Sequence, residues 1–423
     1  MSTVSPEIDK CRVCGSKKLT AIFSLGDLYV SDFLDNSDMD SAQKAPLELV
    51  LCSANEGGCG LLQLKHTVSN EVMYRQYWYL SGTNKTMTNE LHDIASTLES
   101  MVNLKEGDYV IDVGANDGTL LRGYKAKGVK LTGFEPAKNL EKHNSVGTTK
   151  IINDFFNFLA WQKEFGNVKA KVITAIAMFY DLNDPNIFVG DVVKCLDSDG
   201  VFIIQMSYLP SMLSTNELGN ICHEHLEYYS LLSLENLLNR HNLEVFDVEL
   251  NDINGGSFRA YIRHCGFGKN INVKNNAEGR VKALRESEAR LGLADRKVYD
   301  EFVMRVNNIR DKVVSLIKDE VIKGKKVYVY GASTKGNTLL QYFNLDKSLI
   351  TAAAERNPAK WGKKTVGTNI DIISEDKARE DNPDYFLVLP WHFLNEFRER
   401  EATYLKNGGK FIVPMPEFKV VES

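Results

Sequence analysis

Short apolar runs recur along the middle of the chain, separated by segments with a different period. Tyr109-Val110-Ile111 heads a run over 109–113, and further β-prone stretches stand at 131–135, 171–177 and 201–206. Helical patterns fill the intervals, so residues from about 90 to 250 predict strands alternating with helices, a doubly wound α/β domain. From about 275 to 322 the chain is charged, with Val281, Leu284, Leu291 and Leu293 at helical spacing, which predicts helices with solvated faces. Val327-Tyr328-Val329-Tyr330 then begins a second α/β unit, whose later strands are expected at 349–354, 385–389 and 410–413.

A length of 423 residues exceeds one typical domain, so two or three are expected. An apolar content of 43% with 25% charged residues describes an ordinary globular chain. The net charge of -5 and the lack of a basic block argue against a nucleic-acid partner. No apolar run is long enough to span a membrane, and Met1-Ser2-Thr3-Val4-Ser5 lacks the basic and apolar regions of a signal peptide. A cytoplasmic location without a membrane partner is the expectation; the oligomeric state is left open, with a monomer allowed.

Four of the seven cysteines fall in the first 59 residues. Cys11-Arg12-Val13-Cys14-Gly15 is a C-x-x-C knuckle, and Cys52 and Cys59 flank a flexible Gly57-Gly58. Four thiolates make a closed tetrahedral zinc site of the structural type, and a domain this short needs such a staple. The odd total and the absent signal peptide argue against a disulfide framework.

The sharpest motif is Asp112-Val113-Gly114-Ala115-Asn116-Asp117-Gly118, between an apolar strand and Thr119-Leu120-Leu121. A glycine turn there lets backbone approach a ligand, and Glu135, in Gly133-Phe134-Glu135-Pro136 at the end of the next strand, can accept both hydroxyls of a ribose. The ligand is therefore expected to be a nucleoside. Dinucleotides prefer G-x-G-x-x-G, whose second glycine is Asn116 here. The carboxylate of Asp117 would repel a pyrophosphate and suit the cationic sulfonium and amino acid of S-adenosylmethionine (SAM). Asn153-Asp154-Phe155-Phe156, after the third strand, is the expected adenine side.

Three further segments carry candidate chemistry. His223-Glu224-His225 follows the strand at 201–206, near the sheet edge where ligands bind. Residues i and i+2 of a helix face apart, so this is no zincin motif. His225 or His223 can serve as general base with Glu224 orienting it, and a histidine pair at a loop-to-helix junction is the plain alternative. Tyr74 to Asn84, with Tyr77 and Tyr79, suits a polar cleft or a packed linker equally. Asn254-Gly255-Gly256-Ser257-Phe258-Arg259 suggests close backbone approach to a ligand, or a hairpin. Gly331-Ala332-Ser333-Thr334-Lys335-Gly336 suits a phosphate, or a structural turn.

Taken in order, the four-cysteine knuckle, D-V-G-A-N-D-G, G-F-E-P, H-E-H, G-G-S-x-R and Y-G-A-x-x-K-G resemble the sugar C-methyltransferases that act on nucleotide-linked 4-keto-deoxyhexoses. The resemblance covers nearly the whole chain. It implies a zinc-binding domain over 1–80, a Rossmann-like SAM-binding domain over 81–248 and a C-terminal Rossmann-like α/β domain over 249–423 that contributes to the sugar-nucleotide site. Cys11, Cys14, Cys52 and Cys59 would hold structural zinc. Asp112, Gly114, Asn116, Asp117, Gly118, Glu135, Asp154 and Phe155 would hold SAM. His225 would be the base that forms an enolate, with Glu224, His223, Tyr77 and Tyr79 nearby. Cys222 replaces the usual tyrosine before H-E-H, Asn254 replaces a histidine, and Tyr180 stands nearest to a further missing histidine. Other readings are an O- or N-methyltransferase on a related glycan precursor, an inactive zinc-stapled binding protein, and an NAD-dependent sugar oxidoreductase.

Overall fold

The computed structural model describes residues 6–74, 77–268 and 270–423. The N-terminal unit is an antiparallel sheet built from β1 (Thr20–Tyr29), β3 (Lys44–Leu51) and β4 (Leu62–Leu64), with the short β2 (Phe33–Leu34) beside it. The helix Lys85–Val102 leads into the central unit, capped by Asn84, whose side chain accepts the N–H groups of Thr86 and Met87.

The central strands are β5 (Tyr109–Val113), β6 (Lys130–Phe134), β7 (Lys150–Ile152), β8 (Ala170–Ile176) and β9 (Leu196–Ser207). These five are parallel. The two-residue β10 (Glu227–Tyr228) leaves this sheet and pairs with β4, so the N-terminal sheet runs β1-β3-β4-β10. The chain returns as β11 (Leu243–Asn251) and β12 (Ser257–His264), and β12 inserts antiparallel between β11 and β9. The order is β11-β12-β9-β8-β5-β6-β7. Strand alternation explains the apolar runs: Ile111, Ile173, Phe202, Ile204 and Phe258 enter the core on one face, while Val110, Val172, Val201, Ile203 and Tyr261 enter the other. Because β12 belongs to this ladder, the central sheet continues past the division expected at 248/249.

Helices Ala277–Leu291 and Arg296–Ile322 connect to the C-terminal unit. Its strands are β13 (Val327–Tyr330), β14 (Ala353–Glu355), β15 (Lys364–Thr365), β16 (Ile372–Ser374), β17 (Tyr385–Val388), β18 (Lys410–Val413) and β19 (Lys419–Val421). The sheet order is β16-β14-β13-β17-β18-β19, and β15 pairs instead with β2 of the N-terminal unit. The strand expected from 349 begins only at Ala353, because Leu349 and Ile350 are held in a turn by N–H bonds of 3.0 and 2.8 Å to Asp346 O.

In both α/β units the chain leaves one central strand in opposite directions, β5 toward β6 and β8, and β13 toward β14 and β17. Such switch points open a crevice at the carboxyl ends of the strands. Among the described residues no helix is long and apolar enough to cross a membrane.

Candidate active site

Both crevices open on one cavity of about 1010 Å³, walled by all three units. That is the upper end of the size of a single small-molecule site and leaves room for two substrates.

The first wall is the glycine turn after β5. Gly114 has a φ of +70°, and a Cβ there would stand 3.2 Å from Met178 Cγ. Beyond β6, the buried Glu135 accepts the N–H of Asn116 on one oxygen and of Ala137 on the other, both at 2.8 Å. Burial pushes its carboxyl up to about 7. Asp112, buried and accepting Thr174 Oγ1 at 2.6 Å, is likewise pushed up to about 7 by burial. Asp112, Gly114, Asn116, Glu135, Asp154 and Phe155 all line the cavity. A glycine cradle beside a buried acid at a switch point fits the adenosine of SAM.

Asp117 and Gly118 are placed differently from that expectation: neither lines the cavity. Asp117 Oδ2 accepts Gly82 N–H at 2.7 Å, and Oδ1 accepts the N–H and hydroxyl of Thr119 at 3.1 and 2.6 Å. Asn116 Oδ1 accepts Ser81 N–H and its amide donates to Tyr79 O, each at 3.0 Å. The pair Asn-Asp therefore fastens segment 79–82 over the turn, and the Asp117 carboxylate is engaged by two backbone N–H groups, the Thr119 hydroxyl and, at 3.8 Å, the Arg122 guanidinium. Gly118, with a φ of +78°, faces Arg122 and Asn144.

The second wall carries His223-Glu224-His225. His225 Nδ1 meets Asn220 O at 2.8 Å, and its ring centroid lies 4.3 Å from that of Tyr180. A carbonyl oxygen only accepts, so Nδ1 carries a proton and Nε2 keeps the lone pair. Burial, with the Lys335 ammonium nearby, pushes the imidazole down to about 3, so the ring is uncharged at neutral pH. Glu224 also lines the cavity, and burial pushes its carboxyl up to about 7. His223 turns away, its Nε2 donating to Ala45 O of β3 at 3.0 Å, outside the cavity lining. Tyr77, Tyr79 and Tyr180 all line the cavity. The Tyr77 backbone is fixed by both groups of the Asn139 amide, while Tyr79 sits at the rim, 44% exposed.

The third wall is the turn after β13, where Ser333, Thr334, Lys335 and Gly336 face the cavity. This unit repeats the design of the first: Gly331 has a φ of +86°, and Glu355 at the end of β14 accepts Ala332 N–H at 3.0 Å.

The four cysteines converge. Cys11 and Cys59 Sγ are 3.5 Å apart, Cys14 and Cys52 3.4 Å, and all four lie within 4.8 Å of one another. Tetrahedral zinc–thiolate bonds set sulfurs about 3.8 Å apart, so the set fits zinc with no open position. Gly58 is obligatory here, since a Cβ would fall 2.5 Å from Cys52 Sγ.

Several cavity residues escape sequence reasoning. Asp181 adjoins Tyr180, and Tyr74 lies in the aromatic stretch, but Asp32, Phe33 and Glu217 belong to no motif. Conversely, Arg259 of G-G-S-x-R is no ligand contact. It is buried, bonded to Gln205, Glu90 and Asp93 at 2.7, 2.7 and 3.0 Å, and only Asn254 of that motif reaches the cavity.

Three family models match the chain in succession: a zinc binding domain over residues 11–74, a methyltransferase domain over 84–248 and a C-methyltransferase C-terminal domain over 252–416. The C-methyltransferase NovU of Streptomyces niveus is 29% identical over 426 residues, covering 100% of this chain and 99% of NovU. Among solved structures, a chain of the Haloferax volcanii Trm112 methyltransferase activator–methyltransferase complex matches 44% of this chain and 94% of its own, at 16% identity and a TM-score of 0.36. The plantazolicin methyltransferase BpumL with a triazolic analogue and SAH matches 44% and 88%, at 13% identity and a TM-score of 0.34.

Proposed function

Since the chain belongs to the SAM-dependent C-methyltransferases with a zinc-binding and a C-terminal domain, we propose that its acceptor is a nucleotide-linked keto-deoxysugar and that His225 prepares the acceptor carbon. The observation that carries this reading is the His225 tautomer: a neutral ring with its lone pair on Nε2, in the wall of the cavity that the SAM turn also lines.

A ketone acidifies the hydrogen on the adjacent carbon. His225 Nε2 takes that proton, and the C–H electron pair passes into an enolate on the sugar. SAM, when bound beside Glu135, supplies an electrophilic methyl group. The enolate carbon would accept that methyl group, forming the C–C bond as the S–CH₃ bond breaks, with S-adenosylhomocysteine as the leaving group. Glu224, whose carboxyl burial pushes up to about 7, is suited to hydrogen-bond the sugar oxygen. Tyr77, Tyr79 and Tyr180 line the space left for the sugar. The backbone N–H groups of Thr334 and Lys335, opening the helix Thr334–Tyr342, suit the diphosphate, while the Gly336 N–H is capped by Ser333 Oγ at 3.0 Å.

The test is solvent deuterium exchange at the carbon next to the ketone. His225→Asn is expected to abolish exchange and to slow methyl transfer by about 100-fold or more, with SAM affinity intact. Undiminished exchange in the variant, or a product methylated on oxygen or nitrogen, would sink the reading.

A further inference from the structure

The candidate base hangs from a segment that the C-terminal unit grips. Lys335 Nζ donates to Asn220 Oδ1 at 2.6 Å, and the backbone carbonyl of the same Asn220 accepts His225 Nδ1–H at 2.8 Å. Little slack exists around this junction. Asn220 is 2% exposed, and a Cβ on Gly219 would fall 2.7 Å from Glu217 Oε1 and 3.4 Å from Lys335 Cβ. The same segment is tied to the C-terminal unit twice more, by the Trp391 ring N–H on Glu217 Oε2 and by the Asn216 amide on Pro416 O at 2.9 Å. The carbonyl that sets the imidazole tautomer is thus held from the unit that presents the Gly331–Gly336 turn.

We propose that Lys335 is a positioning residue for His225: through Asn220 it fixes the tautomer and aim of the imidazole, and so ties the base to the turn where the acceptor's anionic part is bound. The inference rests on His225 being the base. An ammonium has three donors and no acceptor, so one N–H can serve Asn220 while another meets a phosphate oxygen. Lys335 lines the cavity together with Ser333 and His225, which places that second donor on the acceptor's side. An anion at the turn would hold Lys335, and with it Asn220, in the arrangement that keeps the lone pair on Nε2. A sugar lacking the nucleotide would leave this link unsupported.

The test uses the full-length zinc-loaded enzyme, with a thymidine-diphosphate 4-keto-deoxyhexose as probe. Imidazole ¹⁵N shifts report the His225 tautomer, deuterium exchange at the carbon beside the ketone reports the base, and steady-state kinetics separate KM from kcat. Lys335→Met and Asn220→Ala are each expected to mix the tautomers and to slow exchange and kcat by roughly tenfold, about 1.4 kcal/mol. Lys335→Gln, which keeps a donor for Asn220, is expected to restore most of the exchange. Calorimetric SAM affinity and the thermal transition identify any variant that fails to fold, and the three variants are judged on those that keep both. If Lys335→Met raises only KM for the sugar nucleotide and leaves tautomer and exchange unchanged, Lys335 is a phosphate ligand alone and the proposal falls. If exchange survives His225→Asn, the base assignment falls and the proposal with it.

Discussion

Leu64 donates its backbone N–H to the carbonyl of Leu226 at 2.8 Å, and Leu226 is the residue after His225. Cys52 follows β3 directly and Cys59 precedes β4, with Cys52 N–H closing on Leu61 O at 2.9 Å. Metal held by the cysteines therefore sets the ends of β3 and of β4, the strand against which β10, and with it His225, is registered. His223 fastens the same segment to Ala45. A structural zinc of this kind contributes on the order of 10 kcal/mol to folding. Chelation, or Cys59→Ser, is expected to unfold the β1-β3-β4-β10 sheet and abolish methyl transfer. SAM is expected to bind with less than about tenfold loss, roughly 1.4 kcal/mol, because the β5–β6 turn lies in a different sheet. Zinc content, calorimetry and turnover on one preparation check this; proportional loss of SAM binding and turnover would count against the separation.

The contacts of Asp117 lead to a second prediction. Its carboxylate is bonded to Gly82 and Thr119 and not to the cavity, so Asp117→Ala releases the segment over the SAM turn and takes the acceptor from the buried N–H and hydroxyl of Thr119. Each such loss costs about 1–3 kcal/mol. SAM affinity should weaken by about 10- to 100-fold, measured by calorimetry. Asp117→Asn, which keeps an acceptor for Gly82, should recover part of it. If the charge of Asp117 instead acted on the sulfonium, Asn would be as poor as Ala.

Glu135 yields a prediction about protons. Burial raises its pKa from 4.5 to about 7, so part of the population is protonated at neutral pH before SAM binds. Ribose hydroxyls donate to a carboxylate and a cationic ligand attracts it, so binding favours the charged form and lowers the pKa. Binding should then release a proton below about pH 7, and SAM affinity should rise with pH through that window and level off above it. Titrations at pH 6.5 in buffers of different ionisation enthalpy measure the release directly. The dependence should vanish in Glu135→Gln, along with much of the affinity.

How far the site could be read from sequence follows from what each residue answers to. The Gly114 turn and Glu135 are legible because their roles are local: a left-handed glycine, and an acid at the end of the next strand. The cysteine cluster is legible because thiolate spacing constrains metal geometry. His223 and His225 are separated by the family resemblance and not by their local pattern, since which of them faces the cavity depends on β10, a two-residue strand whose partner β4 lies about 160 positions earlier. Asp117 misleads for a related reason: its partner Gly82 comes from a segment whose position over the turn is a tertiary fact. Glu217 and Asp32 carry no pattern at all, and only the closure of three units brings them to one cavity.

Arg259 and Asn254, neighbours in one motif, should behave oppositely. Arg259 is 3% exposed and joins β12 to the helix Lys85–Val102 through Glu90 and Asp93, with Gln205 of β9 as a third partner. Removing one member of a buried charged network strands the others, at a cost of about 3–5 kcal/mol. Arg259→Met should lower the thermal transition by several degrees while the fraction that stays folded binds SAM normally. Asn254 lines the cavity with a φ of +55° and makes no comparable network. Asn254→Gly preserves that backbone conformation, so the transition should stay put and KM for the sugar nucleotide should rise. Thermal melts and Michaelis–Menten kinetics on the two variants distinguish a strut from a substrate contact. A normal melt with a raised KM in Arg259→Met would return the motif to the ligand-binding role its glycines suggest.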